Sequence, residues 1–91
     1  MEHVSAIITR FIRQNMEERG LVLYFTDDDK LLAMDDRFET HFKFDLVFSD
    51  NDFSCQVLSK GEKGLQVRQR FNISWTNAKG IREFMDYVRS L

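Results

Sequence analysis

The chain contains no proline, a single cysteine, and only four glycines among its 91 residues. Without proline, no ring interrupts a helix or removes a donor from a β ladder. One thiol, Cys55, cannot form an internal disulfide, and there is no Cys/His spacing suited to tetrahedral zinc. No apolar run approaches the ~18 residues that cross a bilayer. Glu2, Arg10 and Arg13 break up the N-terminal stretch that a secretory signal would require, so a cytoplasmic setting is expected. Excess charge of either sign is also missing. Thirteen Lys and Arg stand against fifteen Asp and Glu, which argues against attraction of the whole surface to nucleic acid or membrane.

What the chain does have is apolar residues at regular spacing, including nine phenylalanines. A hydrophobic fraction of 43% is too high for a disordered segment and sufficient for one core, so residues 1–91 are expected to form a single domain.

The spacing changes along the chain. From residue 3 to 19, Val4, Ile7, Ile8, Phe11, Ile12 and Met16 recur at three- and four-residue steps, predicting an amphipathic helix closed by Gly20. Leu21–Thr26 and Leu31–Met34 read as two short strands of a hairpin. Phe38, Phe42, Phe44, Leu46 and Phe48 then alternate with Arg37, Glu39, His41, Lys43 and Asp45, the period of a half-buried strand. Residues 49–52 turn the chain into a strand with Phe53, Cys55 and Val57 inward. After the loop "KGEKG" at residues 60–64, Leu65, Val67, Phe71, Ile73 and Trp75 are assigned to the inner face of a last strand. Thr76 or Asn77 caps a closing helix whose stripe is Ala78, Ile81, Phe84, Met85 and Val88. Gly80, unfavourable inside a helix, suggests close approach to a neighbour.

The expected fold is therefore α+β in two layers. A five-stranded antiparallel meander carries an N-terminal and a C-terminal helix on its Phe-rich face, in the order α-β-β-β-β-β-α.

Two surfaces stand out as candidate sites. The stretch "FTDDDKLLAMDD" and the turn at residues 49–52 hold many aspartates. In a meander, alternate turns lie at one end of the sheet, so Asp27, Asp28 and Asp29 are expected to form an acidic rim with Asp50 and Asp52, able to dock a basic protein surface. The plainer reading is that Asp favours turns because its side chain bonds nearby backbone amides. Neither stretch fits an EF-hand: counting from Asp27, positions 6 and 12 are Leu32 and Phe38, and counting from Asp50 they are Cys55 and Gly61, where Gly and Glu are needed. No metal and no cofactor is expected.

The second surface is the open sheet face, expected to present Arg37, Lys43, Lys60, Arg68 and Arg70 against Glu39 and Asp45. Arginines there could fork onto phosphates, but the aromatic platforms of single-strand binders are missing from the pattern. No nucleophile elbow, phosphate-cradling glycine loop or paired catalytic carboxylates occur. These features predict a small non-catalytic binding or regulatory protein, such as an inhibitor, with another protein as partner, and nucleic-acid binding as the alternative. An enzyme or metal-binding protein stands third. The long last strand lies at a sheet edge, so a monomer and an edge-paired homodimer are both open.

Overall fold

A computed structural model describes residues 2–28 and 30–91, with side chains from Ser5 onward. It has the expected order: α1 (Glu2–Glu18), β1 (Val22–Phe25), β2 (Leu31–Met34), β3 (Thr40–Phe48), β4 (Asp52–Gly61), β5 (Gly64–Ser74) and α2 (Ala78–Ser90). The strands form one antiparallel sheet in the sequential order β1-β2-β3-β4-β5, a meander.

Each helix ends where its sequence dictates. Gly20 takes φ +80, and the Leu21 amide donates to the Met16 carbonyl while the Gly20 amide donates to that of Glu17. That pattern closes α1 and delivers Leu21, itself buried, back to the core. At α2, the Asn77 side chain accepts from the Gly80 amide at 2.9 Å. A Cβ at Gly80 would lie 2.6 Å from the Asn77 amide nitrogen and 3.1 Å from Ile73 Cγ2, so glycine there permits both the cap and the contact with β5.

Both helices bury their stripes on one sheet face. Ile8, Ile12 and Met16 from α1 join Phe84 and Val88 from α2 in one core with Phe44, Phe53, Cys55 and Val57. Phe53 packs edge-on against Phe84 with ring centroids 5.3 Å apart and stacks on Trp75 at 4.9 Å. The Arg89 guanidinium lies 5.1 Å from the Phe11 ring centroid, and Arg19 donates to the Arg89 carbonyl at 3.0 Å, tying the helices together. Two expected stripe members differ. Ile7 faces outward, because positions 8, 12 and 16 already define the buried line, and Ala78, in the first turn of α2, is exposed. The Val4 side chain lies outside the described residues.

The ladders contain two irregularities, and each changes which residues share a face. Between β4 and β5, Val57 pairs with Gln69 but Leu58 pairs with Val67, leaving Arg68 as an extra residue. Such a bulge shifts the alternation by one beyond it. Leu65 and Val67, assigned from sequence to the core, are therefore on the open face, 39% and 40% exposed. Gln66, which strict alternation places on the open face, and Arg68 move the other way: the Gln66 side chain lies over Gly61, and Arg68 Nε donates to Ser59 Oγ. Ser59 stands opposite Phe42, whose side chain packs on the core, so Arg68 belongs to the helix-bearing side.

A similar shift leaves His41 unpaired between β2 and β3, where Ala33 pairs with Phe42 and Met34 with Thr40. Phe38, expected on the inner face of β3, instead sits in the turn before it with φ +62 and 70% of its surface exposed. The Asp35 carboxylate organises that turn. It accepts from the Arg37 amide at 2.9 Å and the Glu39 amide at 3.0 Å, and it pairs with His41 Nε2 at 2.8 Å.

Candidate functional site: the open sheet face

The acidic turns do lie at the same end of the sheet, as a meander requires. They are not level. The β1–β2 hairpin closes beside the middle of β3, since Leu31 pairs with Phe44 and Lys30 Nζ reaches Asp45 Oδ1 at 2.6 Å. The β3–β4 ladder continues to Phe48 and Phe53. Four residues of strand separate the two tips, about 13 Å along the sheet and roughly 16 Å once the strand spacing is included. That exceeds a Debye length of ~10 Å at 0.1 M salt, so the expected rim is two separate acidic turns.

One carboxylate in each turn is bonded locally. Thr26 Oγ1 donates to Asp28 Oδ1, a bond that, with Lys43 and Lys30 nearby, holds the Asp28 carboxyl below its usual range. Ser49 Oγ donates to Asp52 Oδ1 at 2.6 Å, and the Trp75 indole donates to the Ser49 carbonyl at 2.8 Å, bracing that turn against the core. Asp27 and Asp50 are exposed, and Asp29 lies outside the described residues. Among the described residues, no group of three or more His, Cys, Asp or Glu side chains could hold a metal ion.

The open face is built from the residues between the buried positions. Tyr24, Leu32, Lys43, Leu58 and Val67 stand opposite one another in successive ladders, a row crossing all five strands. Four strand gaps make it about 19 Å long. The neighbouring row adds Val22 opposite Met34 and, on the far side, Leu65 opposite Lys60. Phe38 extends the apolar corner, its ring centroid 6.3 Å from that of Tyr24. A row that was expected to carry arginine is thus largely apolar, because the bulge exchanges Gln66 and Arg68 for Leu65 and Val67.

On the other side of this row the face becomes polar. Asp45, Gln56 and Arg70 stand opposite one another, and beyond them Val47, Ser54 and Asn72. They border a shallow hollow of about 390 Å³. Of the five expected bases, Lys43, Lys60 and Arg70 are on this face. Lys60 is 3.4 Å from Glu39, Arg37 lies in the Asp35 turn, and Arg68 is on the helix side. Beneath the sheet, burial and the Asp45 charge push the Cys55 thiol up to about 12, so it stays protonated and is a poor nucleophile.

Sequence alternation missed the apolar row because it carries strict period two through a bulge. The signal was present. Polar Gln69 interrupts the inner-face series between Val67 and Phe71, and polar Thr40 does so between Phe38 and Phe42. Comparison with protein-family models, curated proteins and solved structures finds no match for this chain. No helix among the described residues is long and apolar enough to cross a membrane.

Proposed function

We propose that this protein is a non-catalytic binding module for another protein, with the open sheet face as its contact surface. The observation that carries this reading is the apolar row Tyr24–Leu32–Lys43–Leu58–Val67, continued by Leu65, Val22 and Phe38. Contiguous apolar surface of this kind marks interaction sites on proteins that otherwise cover their cores. The helices already satisfy the opposite face, so the row contributes nothing to the core and is available to a partner.

Docking through an acidic rim, as an inhibitor of a basic surface would use, loses support because the two aspartate turns are separated and Asp28 and Asp52 are bonded within them. Nucleic-acid binding gains one specific observation: Tyr24 and Phe38 supply exposed aromatics on the face that carries Lys43. The rest of the row is aliphatic, and aliphatic side chains offer bases no stacking platform. Protein remains the better-fitting partner.

The test is capture from native lysate, with and without nuclease, by tagged wild type and by Val67→Glu. Proteins retained by wild type and lost from Val67→Glu support the reading. Identical retention by both, or capture that disappears with nuclease, overturns it.

A further inference from the structure

The hollow beside the apolar row has a chemistry of its own. Arg70, Gln56, Ser54 and Asn72 line it, and none of their side chains makes a hydrogen bond or ion pair among the described residues. All four can donate: a guanidinium, two amide NH₂ groups and a hydroxyl. The one acid in its lining, Asp45, is already matched by Lys30 at 2.6 Å. A concave site with one unmatched cation and several free donors suits an oxyanion carrying a single negative charge. A phosphate, with nearly two charges at neutral pH, would leave one unanswered here.

The geometry points to an acidic side chain, Asp or Glu, entering this hollow while a neighbouring apolar side chain of the same segment lies on Leu58 and Val67. The partner of the open face is then an acidic–apolar segment of another protein. This inference rests on the binding reading above and adds the partner's chemistry to it. Gln56 and Leu58 are two residues apart on one strand face, about 7 Å. A partner matches that spacing with its acid two residues from its apolar anchor if extended, or three to four residues away if helical. Lys43, on the same face, adds attraction for the same sign of charge.

A random linear peptide library displayed on phage, selected on immobilised protein, tests this while the partner is still unidentified. Peptides selected on wild type and not on Val67→Glu are synthesised and titrated. The inference expects an Asp or Glu at one of those spacings from a Leu, Ile, Val or Phe. It also expects a loss of about tenfold in affinity, either for Arg70→Gln protein or when the peptide acid is changed to its amide. Selected peptides without an acid, or with affinity indifferent to Arg70→Gln, overturn the inference and leave the binding reading standing. Selection no better on wild type than on Val67→Glu overturns both. Salt-sensitive binding of a thymidine oligonucleotide that displaces the peptides replaces them with the nucleic-acid reading.

Discussion

The two faces of the sheet obey the same alternation and yet differ in how legible they are. On the helix-bearing face, Phe44, Phe53, Cys55 and Val57 alternate through the uninterrupted middle of β3 and β4, and every one is buried. On the open face, the functional candidates lie next to the bulges at Arg68 and His41, where the count shifts by one. A buried face punishes a wrong register at every position, whereas an exposed face tolerates exceptions and can be reshaped by one inserted residue. In that uninterrupted middle the core follows from pattern alone, and beside the bulges neither face does.

The largest expected effect is on the buried face. Phe44 is fully buried and sits opposite both Leu31 and Val57. Phe44→Ala should cost about 3 to 5 kcal/mol in chemical denaturation. A loss below about 1 kcal/mol would mean that the two faces are not distinguished as described.

Phe38 belongs to the open face and should behave in the opposite way. Its left-handed backbone strains any residue with a Cβ, so Phe38→Gly should stabilise the fold by about 0.5 to 1 kcal/mol. The same change removes an exposed aromatic from the contact surface and should weaken partner binding. Stability and binding that fall together would show that Phe38 serves the fold.

The turn that holds Phe38 has its own pH signature. The bond from His41, with the Glu39 and Arg37 amides, lowers the Asp35 carboxyl from 3.8 to about 2. A carboxylate depressed by folding stabilises fully above its unfolded value and loses that contribution as pH falls through about 2. In an NMR titration, the Asp35 carboxyl carbon should shift near pH 2 and hardly move near pH 4. Asp35→Asn should abolish the transition. Movement centred near pH 4 would show that the carboxylate does not organise this turn.

The acidic turns should respond least. Asp28→Asn with Asp50→Asn should change stability by no more than about 0.5 kcal/mol, and the two effects should add, as expected for exposed sites with no shared partner. Coupling between them beyond about 0.5 kcal/mol would restore the single rim.

Much of the architecture was readable in the sequence: both helices, all five strands, the meander order and a cap at Thr76 or Asn77, which the structure assigns to Asn77. So were the positions of Lys43, Lys60 and Arg70. The assignment of Arg68, Leu65, Val67 and Phe38 to faces was not, because a bulge depends on backbone pairing between strands and leaves only a faint mark in the order of side chains. The separation of the acidic turns was hidden for a related reason. Topology orders the turns, but the unequal lengths of β2 and β3 set how far apart they lie.

Unfolding of Val67→Glu tests the central claim, that the bulge at Arg68 turns Val67 outward and completes an apolar row on the open face. With Val67 outside, the carboxylate stays in water and midpoint stability should fall by less than about 1 kcal/mol, the range of strand propensity. With Val67 inside, as strict alternation would have it, an unpaired charge would be driven into the core beside Val57 and Phe42 at a cost of several kcal/mol. A loss above about 3 kcal/mol would contradict the account.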